Sequence, residues 1–316
     1  MKIAIIGAGA LGSYVGAVLS DGGEDVILYD IRADYVELIK KEGLTISPAG
    51  GQSKEYKPPI TSDLSGLGVM DVVVVATKSY HTRAAIEGAK SLVGDETLVC
   101  SFQNGAGNLD VLKEVIGKPE RILAVITAHS FMMVGPTHLQ YFLGAGGVEL
   151  GVMEGEATPQ VKALADAMKK LKVPVSIGES ASDIVWHKIL WNAVLNSSAA
   201  VTGMDVPAMA NSESILPLFN AIADEYFAVS EKMGIKMKHP RNFVELLVFA
   251  AKAAGRIKSV SPPKPSMLQD IEAGRPTEIE FINGAIVAEG EKLGVPTPVN
   301  KTMVALVKTI EGKSKS

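Results

Sequence analysis

The sequence predicts an α/β protein in which an N-terminal, doubly wound parallel sheet (residues 1–180) is followed by an all-α C-terminal domain (residues 181–316). A length of 316 residues corresponds to about two domains at roughly 150 residues each. In the first half, short β-branched runs alternate with helical patterns, which is the order of βαβ units. After Ser182 the strand signals stop and long helical patterns follow.

The N-terminal half divides into alternating strands and helices. The run Val72-Val73-Val74-Val75 is apolar on both faces, as expected of a buried parallel strand. Glycine and aromatic residues over 137–151 favour an antiparallel hairpin over a helix. The strands are predicted at residues 2–6, 25–29, 71–76, 97–101, 121–127 and 173–177. The helices are predicted at residues 10–21, 33–41, 80–92, 108–116 and 159–171.

Composition and charge exclude several classes of protein. With 47% hydrophobic and 21% charged residues, the chain has the composition of an ordinary globular protein. A net charge of −4 without a basic run argues against a nucleic-acid partner. Cys100 is the single cysteine and the histidines are scattered, so we expect neither a disulfide nor a metal site. The single cysteine fits a reducing cytoplasm, and apolar runs far shorter than the roughly 20 residues that span a bilayer predict no membrane partner.

A G-x-G-x-x-G pattern directly follows the first predicted strand and opens a helix: Gly7-Ala8-Gly9-Ala10-Leu11-Gly12. Gly7 permits a tight turn, Gly9 lets a pyrophosphate approach the backbone, and Gly12 lets helix and strand pack closely. The helix N-terminus offers N–H groups to the phosphates. A plain glycine turn is the alternative. In this context the six residues predict a Rossmann-type dinucleotide site.

Asp30 ends the second predicted strand, at about the spacing where a carboxylate accepts hydrogen bonds from the adenosine ribose. A 2′-phosphate would be repelled there, so Asp30 favours NAD(H). Arg32 favours the opposite choice, because a guanidinium can clamp a 2′-phosphate. Asp30 or Asp34 as a simple cap of the following helix is a further alternative. The choice between the two dinucleotides stays open.

Lys188, Asn192 and Asn196 recur every four residues and form one polar stripe on an otherwise apolar helix. Burying such a group without a partner costs at least about 1–3 kcal/mol, and more for the ammonium. A narrow solvent-facing edge, or mutual hydrogen bonds across a helix junction, would also satisfy them. We expect the stripe to face a ligand, because asparagine is a poor helix former and an ordinary exposed face carries more charge.

A second polar segment lies further along the chain. Gly274 and Pro276 are predicted to end one helix, and Thr277 with Glu280 has the spacing of a capping box for the next. By pattern alone, Glu278 is a first-turn carboxylate stabilised by the helix dipole.

Together these motifs resemble the ketopantoate reductase (2-dehydropantoate 2-reductase) family. The resemblance spans roughly residues 1 to 310 and keeps the motifs in order. It implies reduction of 2-dehydropantoate to pantoate with NADP(H), a step toward pantothenate and coenzyme A. The motifs that carry it are Gly7 to Gly12, Lys78 after the strand at 72–76, the Gln103-Asn104-Gly105 turn, the Lys188/Asn192/Asn196 helix, Ser266-Met267-Leu268-Gln269-Asp270, and Thr277 to Gly284.

The resemblance also implies a role for each matching residue. Lys188 is the general acid, and Glu278 orients it and contacts the cofactor side. We expect this carboxylate to raise the pKa of Lys188, since an opposite charge favours the ammonium. The implied substrate-binding residues are Asn104, Asn192, Asn196 and Ser266. The implied cofactor-binding residues are Gly7, Ala8, Gly9, Ala10, Leu11, Gly12, Asp30, Arg32, Lys78, Asn104 and Glu278.

The chain departs from the family pattern at two positions. Arg32 stands two residues after Asp30, where the family often has an arginine directly after the strand, and Ser197 replaces a common proline. We expect His129 to be structural. Two other functions are compatible with these residues: a reductase of a different 2-keto acid, and a non-catalytic NAD(P)-binding redox regulator. Cys100 is expected to be a core residue rather than a reactive thiol, and a homodimer is allowed.

Overall fold

The computed structural model describes residues 1–144, 146–254 and 264–313. Contacts divide the chain into an N-terminal unit (Met1–Gln103 and Asn108–Ile184) and a helical unit (Asn104–Gly107 and Val185–Ser316). The strands of the described residues are β1 (Lys2–Ile6), β2 (Asp25–Tyr29), β3 (Leu44–Pro48), β4 (Lys54–Tyr56), β5 (Ile60–Thr61), β6 (Val72–Val75), β7 (Leu98–Ser101), β8 (Ile122–Thr127), β9 (Ser130–Met133), β10 (His138–Phe142), β11 (Val148–Val152) and β12 (Val175–Ile177). The helices are α1 (Ala10–Asp21), α2 (Ala33–Glu42), α3 (Thr82–Gly88), α4 (Asn108–Ile116), α5 (Pro159–Met168), α6 (Ala181–Thr202), α7 (Val206–Ala210), α8 (Leu216–Met233), α9 (Phe243–Ala254), α10 (Ser266–Glu272), α11 (Asn283–Leu293) and α12 (Pro298–Lys313).

The N-terminal unit is built on an eight-stranded sheet in the order β12-β11-β8-β7-β6-β1-β2-β5. Every pairing in it is parallel except that of β8 with β11. Alternate residues of β6 enter two different hydrophobic clusters: Val72 and Val74 join one, and Val73 and Val75 join the other. Because successive side chains of a strand point to opposite faces, both faces of the sheet are covered. This confirms the predicted doubly wound parallel sheet.

A second sheet of four strands, in the order β4-β3-β10-β9, was not predicted. It makes the predicted hairpin at 137–151 wrong, since β10 pairs with β3 and β9 while β11 pairs with β8 and β12. The glycines between β10 and β11 allow other backbone segments to pass close to the chain. A Cβ at Gly144 would lie 2.1 Å from the Ala128 carbonyl oxygen, and one at Gly147 would lie 1.8 Å from that of Pro174.

Two local predictions also differ from the structure. The helix predicted at 80–92 is broken into a 3₁₀ turn, α3 and a second 3₁₀ turn. The capping box is wrong: the Thr277 hydroxyl accepts from the Ile279 N–H at 3.3 Å, while Glu280 pairs with Lys308. The next α-helix, α11, begins only at Asn283.

The helical unit has its own apolar core, to which α6 contributes Ile189, Leu190, Ala193 and Val194. Tyr226 of α8 donates its hydroxyl hydrogen to a carbonyl of α6 at 2.6 Å, which fixes the two helices against each other. Among residues 1–144, 146–254 and 264–313, no helix is long and apolar enough to cross a membrane. The same residues contain no cluster of side chains suited to hold a metal ion.

Candidate active site

The glycine loop lies between β1 and α1 and has the backbone geometry that a dinucleotide site needs. Gly7 has φ +105°, a conformation that side chains disfavour. A Cβ at Gly12 would lie 2.0 Å from the Gly7 carbonyl oxygen, so only glycine fits there. At Gly9, by contrast, a Cβ would meet no atom within 4 Å. Gly9 also precedes α1 without a side-chain cap, so the helix N-terminus and an open approach are both available to a phosphate.

Asp30 follows β2 and is held by the loop itself. Its Oδ2 accepts from the Ala8 N–H at 3.1 Å, so Ala8 contributes to this contact. Arg32 donates to Asp30 through its backbone N–H, Nε and Nη2 at 2.8–3.1 Å. The Arg32 guanidinium also lies 4.3 Å above the centre of the Tyr35 ring. Burial opposes ionisation of Asp30, but the hydrogen bonds and charge of Arg32 outweigh it and lower the pKa of the carboxyl group.

Lys78 lies three residues after β6 and directly follows Thr77. The neighbour of the glycine loop is Thr77, whose side chain would be 2.9 Å from a Cβ at Gly7. Gln103, which the sequence placed in a family motif without a role of its own, fixes this segment by donating to the Thr77 carbonyl at 3.0 Å and the Thr82 hydroxyl at 2.8 Å. Gln103 lies two residues after β7, which ends beside the parallel strand β6. A polar residue at this position in the sequence indicates a place near the ends of both strands.

In the helical unit, the polar stripe of α6 has polar partners. Asn192 donates through Nδ2 to Asn104 Oδ1 at 3.1 Å. Asn196 Oδ1 accepts from the Ser266 hydroxyl at 3.3 Å and from the Met267 N–H at 3.1 Å. The structure therefore brings together four residues predicted to bind substrate. Both stripe asparagines are buried.

These hydrogen bonds use the amide nitrogen of Asn192 and the amide oxygen of Asn196, but not the amide oxygen of Asn192 or the amide nitrogen of Asn196. In the described part of the chain, neither Asn192 Oδ1 nor Asn196 Nδ2 has a hydrogen-bond partner. Successive stripe residues are about 6 Å apart along the helix axis, at about 1.5 Å rise per residue. One side of α6 therefore carries the Lys188 ammonium, an amide acceptor and an amide donor on successive turns.

Lys188 is partly buried on α6. Burial lowers its pKa to about 8, because a low-dielectric environment disfavours the ammonium. The expectation that Glu278 raises this pKa is therefore wrong. No ion pair involving Lys188 is present among the described residues.

Glu278 is buried at the start of the 3₁₀ turn Ile279–Phe281. Its backbone carbonyl accepts from the Phe281 N–H at 3.0 Å, and the Phe281 carbonyl accepts from Ala106 at 2.8 Å. Glu278 therefore lies on the segment that binds the Asn104–Gly107 turn. This turn is the part of the first half of the chain that belongs to the helical unit.

His129 and Cys100, which the sequence predicts to be structural, are both buried. His129 is buried, and its Nδ1 accepts from the Gly144 N–H at 3.0 Å. Cys100 is 0% exposed, and burial raises the pKa of its thiol to about 12. A thiol with so high a pKa carries almost no thiolate at neutral pH, so Cys100 is a core residue.

A Rossmann-type unit joined to a helical unit with a lysine–asparagine face defines the class of two-domain nicotinamide-dependent reductases. Comparison with known proteins identifies the family. The family model described as "Ketopantoate reductase PanE/ApbA" matches residues 3–155, and its C-terminal counterpart matches residues 181–311. The chain belongs to the ketopantoate reductase family.

Individual relatives agree with this assignment. The chain is 32% identical to a 2-dehydropantoate 2-reductase of Archaeoglobus fulgidus, and the match covers 98% of each chain. Among solved structures, the 2-dehydropantoate 2-reductase of Geobacter metallireducens is 27% identical with a TM-score of 0.88, covering 98% of this chain and 99% of that one. A D-mandelate dehydrogenase solved with NADH and anilino(oxo)acetate is also 27% identical, with a TM-score of 0.87, covering 100% and 99%.

Proposed function

We propose that the protein is a 2-dehydropantoate 2-reductase, which reduces a 2-keto acid to a 2-hydroxy acid with a nicotinamide dinucleotide. The observation that carries the proposal is the stripe on α6. Its two buried asparagines are held by Asn104, Ser266 and Met267, while one acceptor and one donor group stay available beside a lysine of lowered pKa. Family membership and the names of the relatives support the same reaction.

In this proposal Lys188 donates a proton to the substrate's keto oxygen. A pKa of about 8 leaves most of the side chain protonated at neutral pH, yet makes it a stronger acid than an exposed lysine. Its charge also stabilises the negative charge that develops on that oxygen. We assign Asn196 Nδ2 as donor to the keto or carboxylate oxygen, and Asn192 Oδ1 as acceptor for the substrate's hydroxyl hydrogen.

Asn104 would contact the substrate next to Asn192, and Ser266 would contact it next to Asn196. For Glu278 we propose a role in orienting Lys188 and in binding the cofactor. The residues that would hold the dinucleotide are the loop from Gly7 to Gly12 together with Asp30, Arg32 and Lys78. When bound, the reduced dinucleotide supplies hydride to C2 of the keto acid. The open approach at Gly9 and the α1 N-terminus fit its pyrophosphate.

We further propose that NADP(H) is the preferred dinucleotide. Asp30 already accepts four hydrogen bonds, from Ala8 and Arg32, and an ionised carboxylate has about four lone-pair sites. The carboxylate is therefore saturated and poorly able to accept from ribose hydroxyls. The half-exposed Arg32 guanidinium offers a cation to a 2′-phosphate instead.

The reaction is tested by following oxidation of NADPH at 340 nm with 2-dehydropantoate. The wild-type chain should turn over, and Lys188→Ala should lose at least about a hundredfold in kcat, the usual range for a proton donor. Lys301→Ala, which removes an exposed lysine of the same unit, is the matched control and should stay active. Near wild-type turnover by Lys188→Ala would refute the assignment of the general acid.

A reductase of another 2-keto acid is the second candidate, because the D-mandelate dehydrogenase has the same fold at 27% identity. A fold does not determine its substrate. A panel comparing 2-dehydropantoate with aromatic and unbranched 2-keto acids separates the two. A higher kcat/KM for an aromatic keto acid would favour the second candidate.

A homodimer and a cytoplasmic location also belong to the proposal. The single, buried Cys100 fits a reducing compartment, where disulfides are rare. Light scattering on the purified chain measures the oligomeric state, and fractionation of the source cells measures the location.

A further inference from the structure

A buried series of hydrogen bonds joins α6 to the starts of α11 and α12. Asn283, the first residue of α11, is 0% exposed. Its Nδ2 lies 3.3 Å from the Ala193 carbonyl oxygen and 3.4 Å from the Ser197 hydroxyl oxygen, both on α6. The same nitrogen donates to Asn300 Oδ1 on α12 at 2.9 Å. Asn283 therefore contacts α6 at the two residues that directly follow the asparagines of the stripe, Ala193 and Ser197.

The far end of this series is fixed by a carboxylate. Glu225 on α8 accepts from Asn300 Nδ2 at 2.7 Å and from the Asn300 N–H at 2.9 Å. It also accepts from the Val299 N–H at 2.8 Å, so it caps the N-terminus of α12. A negative charge at a helix N-terminus is stabilised by the helix dipole. Asn300 is thereby held in one orientation, and its oxygen in turn orients Asn283.

The amide of Asn283 carries a cost in stability. Its Oδ1 is buried and has no hydrogen-bond partner among the described residues. An unsatisfied buried acceptor costs about 1–3 kcal/mol, which an apolar side chain at the same place would avoid. Such a side chain would, however, leave Asn300 Oδ1 without its donor, so the amide is the group that ties α6 to α11 and α12.

The segment just before Asn283 holds other parts of the candidate site. The Phe281 carbonyl accepts from the Ala106 N–H at 2.8 Å. A Cβ at Gly105 would lie 2.6–3.0 Å from Phe281, so this turn is pressed against the segment. Asn104 belongs to the same turn, and Glu278 begins the segment. Residues 278–283 therefore contact two of the elements that supply the proposed substrate side chains, α6 and the 104–107 turn.

We infer that Asn283 is a positioning residue that holds α6 in register with the segment carrying Glu278. The inference rests on the proposed reductase function. Proton transfer from Lys188 requires the donor within about 2.6–3.2 Å of the substrate oxygen. A shift of about 1 Å in the supporting structure can cost about a hundredfold in rate, so loosening α6 impairs the chemical step more than binding of the dinucleotide.

The inference is tested by kinetics of Asn283→Ala, with kcat expressed per molecule that binds NADPH in a fluorescence titration. We expect kcat to fall about 10- to 100-fold, with a smaller change in the dinucleotide KM, because the glycine loop, Asp30 and Arg32 belong to the N-terminal unit. Asn300→Ala should cost less, since Asn283 keeps its contact with α6. Ser230→Ala is the matched control, because it removes a 0%-exposed hydroxyl that donates only within α8.

The outcomes separate this inference from the proposed function. A wild-type chain without turnover of any keto acid overturns both. Wild-type turnover that is retained within about twofold in Asn283→Ala overturns the positioning role alone. Equal losses in Asn283→Ala and Ser230→Ala, with a parallel loss of NADPH binding, would also overturn it. If Asn283→Ala does not fold, Asn283→Leu keeps most of the side-chain volume, removes the donors without burying a charge, and carries the same test.

Discussion

Replacing Arg32 with alanine should reverse the dinucleotide preference. In the structure, Arg32 makes three hydrogen bonds to Asp30 and stacks on Tyr35. The two side-chain bonds are lost in the variant, which exposes the Asp30 carboxylate to the ribose. A 2′-phosphate then meets a negative charge where wild type offers a positive one, whereas the ribose hydroxyls of NADH gain an acceptor.

The size of the effect follows from the exposure of the guanidinium. A hydrogen bond to a charged group contributes about 1.5–3 kcal/mol, or roughly 10- to 150-fold. The Arg32 side chain is 55% exposed, so solvent screening moves the expected loss toward the lower end. We therefore expect kcat/KM for NADPH to fall about 10- to 30-fold, with a gain for NADH from the freed carboxylate.

The assay compares kcat/KM for NADPH and NADH at saturating keto acid, at low and at high salt. The difference between wild type and Arg32→Ala should shrink at high salt, where exposed charges are screened. Lys40→Ala removes an exposed cation of α2 that pairs with Glu37, and it should leave the ratio unchanged. An NADPH-to-NADH ratio within twofold of wild type in Arg32→Ala would refute the proposed phosphate contact.

The remaining predictions concern the general acid and the glycine loop. With a pKa of about 8, Lys188 should give a kcat/KM for keto acid that is level below about pH 7 and falls tenfold per pH unit above 8; a flat profile up to pH 10 would contradict its role as the acid. Gly12→Ala should lower the free energy of unfolding by about 1–3 kcal/mol, and with it the melting temperature, because the new Cβ would lie 2.0 Å from the Gly7 carbonyl oxygen. Gly9→Ala places a Cβ where no atom lies within 4 Å, so the variant should keep its melting temperature but bind NADPH more weakly. Calorimetry measures the melting temperatures of the two variants, and fluorescence titration measures their NADPH affinities. Unchanged NADPH affinity in Gly9→Ala would argue against the pyrophosphate contact.

The sequence was most informative where one local signal decides the structure. The bounds of β1, α1 and β2 agree with the prediction, because a buried apolar run, a glycine loop and a helical pattern follow each other directly. The four-stranded sheet was missed for the opposite reason. Its pairing of β3 with β10 joins residues far apart in the sequence, such as Thr45 and His138, and strands as short as Lys54–Tyr56 give little periodicity.

The wrong hairpin has a related cause. Glycine between two strand-like runs is the signal of a tight turn, but it equally permits another backbone to pass close by. Gly144 and Gly147 serve the second purpose, against Ala128 and Pro174. Sequence alone does not distinguish these uses, since both require only the missing Cβ.

The stripe on α6 illustrates the same limit at the candidate site. Spacing and burial cost were enough to predict that Lys188, Asn192 and Asn196 need polar partners. An amide can donate or accept, however, and its role toward a ligand depends on which of its atoms the protein has already engaged. That choice is made by Asn104, 88 residues before Asn192, and by Met267, 71 residues after Asn196. Recognition of a substrate hydroxyl or oxygen along α6 is therefore determined by distant segments that the fold brings to the helix.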